Sequence, residues 1–315
     1  PIIILETIKP IYFVSKAKGN DKDKFNCLFN DIDSDKIEKL REEIANRHLY
    51  YPEMGRLDIR QMDYKYLLPL VNEEINTFKK EKAFVFIDPY GYKDIKVSDI
   101  MNLLSSKKSE VLLFLPTQFM FRFETKGTPV CLVDFISELM PQEKWPTSNT
   151  GINFIETLTE AFRKKLGPDY FTDSFIITRE LNQFFCLFFF TGHIYGFDRM
   201  LDAKWEIDAE EGRGWCYQTG DSLFDDGCKV ANTRKLENKL LETLSKGECT
   251  NGELYRFTLQ NGHLPCHSNE ILTNLQKDGR LVVTKADGTM ARKAAFYLSY
   301  KLYKNEPDKI KIRLK

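Results

Sequence analysis

Through the first third of the chain, short apolar runs alternate with stretches of helical period. FNCLF (residues 25–29) predicts a strand, and DSDKIEKLREEI after it puts Ile37, Leu40 and Ile44 on one helical face. LDIRQMD (57–63) predicts a second strand, and YLLPLVNEEINTFKK a second helix with Pro69 in its first turn. A strand over 83–87, a helix around 97–104 and the strand EVLLFL (110–115) continue the alternation. Strands separated by helices of this length pair in parallel through right-handed crossovers, so the expected architecture is a doubly wound α/β sheet. Residues 132–166 read as helical with a break near 141–151. FIITREL and FFCLFFF, with NQ between them, predict an antiparallel pair that closes the sheet.

The pattern then changes. Residues 210–233 begin with EEGRGWCYQTGDSLFDDG, rich in Gly and Asp and without apolar periodicity, and read as a linker between an α/β domain over 1–209 and a C-terminal domain over 234–315. RKLENKLLETL predicts a short helix, and TNGELYRFTLQNG a second with a capping box from Thr250 to Glu253. SNEILTNLQKDG predicts a third, capped by Ser268 and stopped by Gly279. RLVVT and AAFYLSY read as strands around the turn KADG. Three helices followed by a β-hairpin is the layout of a winged helix. Its third helix would bury Ile271, Leu272 and Leu275 and turn Asn269, Thr273, Asn274, Gln276 and Lys277 outward, where such side chains reach base edges.

Charge sharpens this division. Basic and acidic residues both number 46, yet residues 234–315 hold 16 basic against 9 acidic, leaving 30 against 37 for residues 1–233. A positive C-terminal unit suits contact with DNA or RNA through phosphates, with Arg292, Lys293, Lys301 and Lys304 supplying charge near the wing. No run approaches the ~18 apolar residues of a membrane span. The seven cysteines are scattered without a C-x-x-C, which fits a reducing cytoplasm. Cys249, His263, Cys266 and His267 offer metal-ligand types, but their spacing matches no common zinc finger, and no metal is expected.

The candidate chemistry lies where strands stop. In open α/β sheets, ligands bind beyond the carboxyl ends of the strands, and there FVFIDPYGY ends in Asp88, Pro89 and Tyr90. A carboxylate followed by a fixed backbone carbonyl can accept the hydrogens of an amino group, and an aromatic ring offers a face for stacking. Asp31 and Asp63 stand at the ends of two earlier strands, with helix capping as their local alternative role. Arg122 follows the strand carrying FLP and could meet a substrate anion or pair with a carboxylate such as Glu124. His193, in a tight turn, reads as a local hydrogen-bonder more readily than as a general base, and Trp205 as a core residue.

FIDPYGY followed by EVLLFLPTQFMFRF, the segment FNDIDSDKIEKL, the opening PIIILETI and the late stretch FFFTGHIYGFDRMLDAKWEID resemble, in that order, the three-Cys-motif partner (TcmP) proteins. The resemblance implies a class I S-adenosylmethionine-dependent methyltransferase fold with a C-terminal winged helix. It also implies a partner protein bearing a three-cysteine, radical-enzyme-like motif. On that resemblance Asp31 meets the cofactor's ribose hydroxyls, Asp63 lies by the adenine, and Asp88, Pro89 and Tyr90 take the place of the D-P-P-Y tetrad of amino-methyltransferases, with Gly91 where a second proline would stand. The glycine-rich turn of such folds would precede Pro1. Either an upstream segment completes the centre of the sheet, or the strands ending at Asp31 and Asp88 pair directly and the cofactor site is lost. Two functions follow as expectations: a methyltransferase acting on an amino group, with nucleic acid as a candidate substrate, or a non-catalytic scaffold that binds a partner protein, nucleotide or nucleic acid.

Overall fold

The computed structural model describes residues 1–20, 24–89, 96–117, 130–141, 151–179, 184–216 and 230–315. They form two compact units, Pro1–Glu74 and Ile75–Lys315. Tyr90 and Arg122 lie outside the described residues.

In the first unit, β1 (Cys27–Asp31) and β2 (Leu57–Gln61) pair in parallel, in register from Cys27 opposite Leu57 to Asp31 opposite Gln61. Helices α1 (Ile2–Ala17) and α2 (Ser34–Asn46) supply Leu5 and Ile44 to a small core with Leu49, against which Phe29, Leu57 and Ile59 pack. The stripe expected on α2 is present, with Ile37 and Ile44 buried. Gly55 has φ +148°, and a Cβ there would fall 2.3 Å from the carbonyl oxygen of Phe25, so the approach to β1 needs glycine. Helix α3 (Tyr64–Thr77) starts earlier than its apolar run suggests, because Asp63 caps it by accepting the backbone N–H of Lys65 at 2.9 Å. Pro69 consequently falls inside the helix, not in its first turn.

The second unit holds a five-stranded mixed sheet in the order β3 (Ala83–Ile87), β4 (Ser109–Leu115), β6 (Phe184–Thr191), β5 (Phe171–Thr178), β7 (Gly214–Cys216). β3 and β4 are parallel, and β6 lies antiparallel between β4 and β5. β1 and β3 belong to separate sheets, one in each unit. β6 is apolar at successive positions because both its faces are covered. Phe188 and Phe190 pack on Phe162 of α6 (Gly151–Leu166), with ring centroids 5.2 and 4.9 Å away, and Phe162 in turn meets Phe135 of α5 (Val130–Leu139). Phe189 faces the other way, into a core shared with the C-terminal helices. β3 pairs with β4 and leaves Phe84 and Phe86 exposed. α4 (Val97–Ser105) buries Val97, Ile100, Leu103 and Leu104 between these two strands in the chain.

The stretch read as a linker contains β7, which pairs in parallel with the second half of β5. Beyond it, α8 (Arg234–Lys246) buries Leu236, Leu240 and Leu244, and α9 (Asn251–Gln260) carries the capping box foreseen between Thr250 and Glu253. α10 (Pro265–Lys277) begins three residues before Ser268. Proline suits the first helical position, and His267 Nδ1 accepts the Leu264 N–H, leaving Ser268 buried with its hydroxyl 2.6 Å from that of Thr258. Gly279, at φ +71°, ends the helix as expected.

The wing departs further from expectation. After β9 (Leu281–Lys285) the chain returns only briefly, with Ala291 N–H bonded to the Val283 carbonyl at 3.0 Å. AAFYLSY is not a strand. Phe296 and Leu298 sink into the core, and the chain turns into the short helix α11 (Tyr300–Asn305). The lasting partner of β9 is β10 (Ile310–Leu314), which lies between β9 and β8 (Cys249–Thr250) in a three-stranded antiparallel sheet.

Helix α7 (Ile194–Ile207) joins the two halves of this unit. Its Phe197 and Leu201 share one core with Phe171, Leu240, Leu254 and Leu272. Polar bonds fix the registration. Tyr255 donates to Asp198 at 2.9 Å, Trp205 Nε1 donates to the Gly262 carbonyl at 2.8 Å, and Lys204 pairs with Asp173 of β5 while donating to the Ser174 carbonyl at 3.1 Å. Lys204 and Asp173 are 7% and 8% exposed, so removing one partner leaves the other charged and out of water. Arg163, 3.6 Å from Asp173, offsets part of that cost. Lys204→Met should therefore destabilise the chain by about 3 kcal/mol in urea unfolding, and Asp173→Asn combined with it should restore most of the loss. A single variant as stable as wild type would show that the pair is dispensable.

Candidate nucleic-acid interface and strand-end site

Parallel pairing brings Asp31 and Asp63 to the same end of the β1–β2 sheet. Asp31 Oδ1 accepts the Asp33 N–H at 3.0 Å, and its Oδ2 lies 3.4 Å from Lys36 Nζ. Asp33, not Asp31, caps α2, through the N–H groups of Asp35 and Lys36. Asp63 is committed to the start of α3. Beside Asp31, the side chain of Asn30 donates to the Met62 carbonyl at 2.9 Å, while its Oδ1 is a buried acceptor with no hydrogen-bond partner among the described residues. Nothing in the sequence pattern singles out Asn30; only the strand pairing shows that its amide is half satisfied. Asp88 and Pro89 directly follow β3, in the second unit.

On α10, Asn274 and Lys277 are exposed. The other outward positions expected there are more constrained. Gln276 Oε1 accepts the Ala294 N–H at 2.8 Å and ties the helix to the segment after the wing, Thr273 donates to the Asn269 carbonyl at 2.7 Å, and Asn269 is half-buried. Exposed cations gather where α10 ends and the wing begins: Lys277, Arg280, Lys285, Arg292 and Lys293. None of the five forms an ion pair among the described residues. Other lysines of the same region are partnered, Lys246 with Glu242, Lys309 with Glu306 and Lys311 with Glu248. Arg280 and Lys285 join the set only once the fold places the helix end against the wing.

The remaining candidates have structural roles. His193 caps α7, its Nδ1 accepting the Tyr195 N–H at 3.3 Å. Trp205 is buried against two imidazoles, with centroids 4.3 Å from His267 and 5.4 Å from His263. No cluster of three metal-ligating side chains occurs among the described residues, and His263 and His267 serve the packing around Trp205.

A family model described as a GMT-like wHTH domain matches residues 214–288. That span runs from β7 through the three helices and β9 into the wing turn. The C-terminal part of the chain is thus a winged-helix region similar to that family's. No curated protein and no solved structure matches the chain. No helix among the described residues is long and apolar enough to cross a membrane.

Burial, with His263 alongside, pushes the His267 imidazole down to about 4 from an ordinary 6.5, and burial also lowers His263. Protonating His267 would further end its acceptance of the Leu264 N–H. Since the unfolded chain binds this proton near pH 6.5 and the folded chain does not until about pH 4, the stabilising contribution is complete above pH 6.5 and declines as pH falls between those values. A melting temperature steady from pH 7 to 8 and falling below about pH 6.5 is expected, with a shallower fall in His267→Asn, whose amide oxygen can still accept a hydrogen bond. Identical slopes for the two proteins would remove His267 from the account.

Proposed function

We propose that this chain is an S-adenosylmethionine-dependent methyltransferase-like protein whose winged helix holds the nucleic acid carrying the acceptor amino group. The observation that carries the proposal is the strand order. A parallel β3–β4 pair, with antiparallel β6 between β4 and β5, supports reading these as the late strands of a methyltransferase-type sheet, and Asp88 and Pro89 follow β3.

The first unit supplies acceptors suited to the cofactor. Asp31, at the end of β1, suits the hydroxyl donors of a ribose, its Oδ1 shared with the Asp33 N–H and its Oδ2 3.4 Å from Lys36, while Asp63 shares one oxygen with the Lys65 N–H. When bound, the cofactor supplies an electrophilic methyl group. The chain's own part is placement: the Asp88 carboxylate and Pro89 carbonyl accept the amino hydrogens and hold the nitrogen lone pair in line, a gain in orientation more than in acid–base chemistry. Tyr90 is assigned to stacking on the acceptor base by the family resemblance.

The free cations at the end of α10 and on the wing support the nucleic-acid half of the proposal. Surface cations with no carboxylate partner are those left to neutralise phosphates, and each phosphate contact steepens the salt dependence of binding. Fluorescence anisotropy with duplex DNA and duplex RNA across a salt series should give a linear log–log dependence. Arg292→Ala with Lys293→Ala should reduce its slope by about 2 while weakening all sequences alike. Salt-independent binding, or none, would sink the assignment.

A second reading, a scaffold without catalysis, is favoured by one observation: Asp31 and Asp63 are both engaged in local hydrogen bonds. Calorimetry with S-adenosylmethionine separates the two. The catalytic reading expects binding that Asp31→Ala abolishes, and transfer that Asp88→Ala abolishes with cofactor affinity intact. Absence of both binding and transfer would leave the scaffold.

A further inference from the structure

A cleft of about 270 Å³ opens between α6 and β5 on one side and α8 with the α9–α10 turn on the other. It lies within the second unit, lined by neither Asp88 nor the wing cations. Its floor is the buried Asp173, held by Lys204 and faced by Arg163 at 3.6 Å. Ile152, Ile155 and Ile176 give it apolar lining, and His263 lines it as well.

The charged rim differs from the floor. Arg213 lies 3.6 Å from Glu156 and 3.8 Å from Glu211, and Lys235 lies 3.8 Å from the same Glu156 oxygen. These separations exceed hydrogen-bond length, so two cations share one half-exposed carboxylate without a side-chain hydrogen bond to it. Arg213 is nonetheless firmly placed. Its backbone N–H donates to Asp208 at 2.8 Å, its carbonyl accepts the Ile176 N–H at 2.9 Å, and Asp208 gathers the Glu211 and Gly214 N–H groups around the same turn. Those amide bonds hold the Asp208 carboxyl below its ordinary range despite its partial burial. A guanidinium fixed at its base, a lysine one helix away and a poorly bonded carboxylate between them make a site that a stronger oxyanion can take over.

We propose that this cleft binds a small phosphate ester of mononucleotide size, its phosphate bridging Arg213 and Lys235 in place of the Glu156 carboxylate and its organic part lying along Ile152 and Ile176. The volume lies just below the usual range for ligand pockets, which favours a single nucleotide or smaller ester over a polymer. Lys239, which also lines the cleft, is oriented by a hydrogen bond to Asn261 Oδ1 at 2.8 Å. Lys235 belongs to the winged-helix region, while Arg163 and Asp173 belong to the α/β half, so the ligand would bridge both halves of the unit and raise their common melting temperature.

The test is titration calorimetry of the full chain with AMP, GMP, CMP, UMP and inorganic phosphate, using the corresponding nucleosides as uncharged controls. At least one mononucleotide should bind more tightly than phosphate, and the nucleosides should not bind. Glu156→Gln should tighten binding several-fold by removing the competing charge. Arg213→Ala with Lys235→Ala should weaken it at least tenfold with the melting temperature of the unliganded protein retained, since both side chains are exposed and Arg213 holds its turn through backbone atoms. Arg292→Ala with Lys293→Ala should leave binding unchanged, which separates this site from the wing. No heat with any mononucleotide or phosphate at millimolar concentration, or affinity indifferent to the Arg213 and Lys235 changes, overturns the proposal.

Discussion

The second unit depends on β6 being a strand with no solvent face. Phe188 and Phe190 project towards α5 and α6, Phe189 projects into the core shared with the winged helix, and Cys186, on the face of Phe188 and Phe190, is fully buried. A strand covered on both sides must be central, which is why β6 sits between β4 and β5 instead of extending the sheet edge. Once β6 takes that place, β5 is carried outward to where Asp173 can meet Lys204, and α7, leaving the end of β6, lies across the sheet with Phe197, Leu201 and Trp205 turned to the C-terminal helices. The winged helix is therefore continuous with the α/β core. The Gly- and Asp-rich stretch before it contributes β7 to the same sheet before the chain departs.

That continuity explains which features were legible in the sequence. Local signals suffice where the decisive partner is near in the chain: the α2 stripe of Ile37 and Ile44, the capping box of Thr250 and Glu253, the stop at Gly279, and the β5–β6 hairpin. Expectations failed where a distant partner decides. The apolar character of AAFYLSY suggests a strand, but Phe296 and Leu298 are buried as part of a connecting segment, and the edge of β9 is taken by IKIRL, whose partners include Cys249 far upstream. Ser268 has the chemistry of a cap and is instead hydrogen-bonded to Thr258 of the preceding helix. The Asp173–Lys204 pair and the cleft above it left no local trace, because their residues come from α6, β5, α7 and α8.

The candidate strand-end site was legible in part for the same reason. Acids at strand ends are visible as single letters after apolar runs, and Asp31 and Asp63 do fall at one end of a parallel pair. Which of them retains bonding capacity is a matter of geometry. Asp63 spends an oxygen on Lys65 N–H, Asp31 spends one on Asp33 N–H, and a buried acceptor with no hydrogen-bond partner among the described residues belongs to Asn30, a residue with no motif to mark it.

A contrast between satisfied and unsatisfied groups runs through the whole chain and orders its functional surfaces. Around Trp205, Asp198 and Asp173 every charge has a close partner, as burial requires, and these residues hold the two halves of the unit together. At the end of α10 and on the wing, five cations stand without a carboxylate partner among the described residues, at little cost in water. The rim of the cleft lies between these extremes: Arg213 and Lys235 share one carboxylate at a distance that bonds neither. The charges that hold the structure and those proposed for polymer contact and small-ligand binding thus fall on different residues, because the energetic demand on a charge rises with its burial while its freedom to recognise another molecule rises with its exposure.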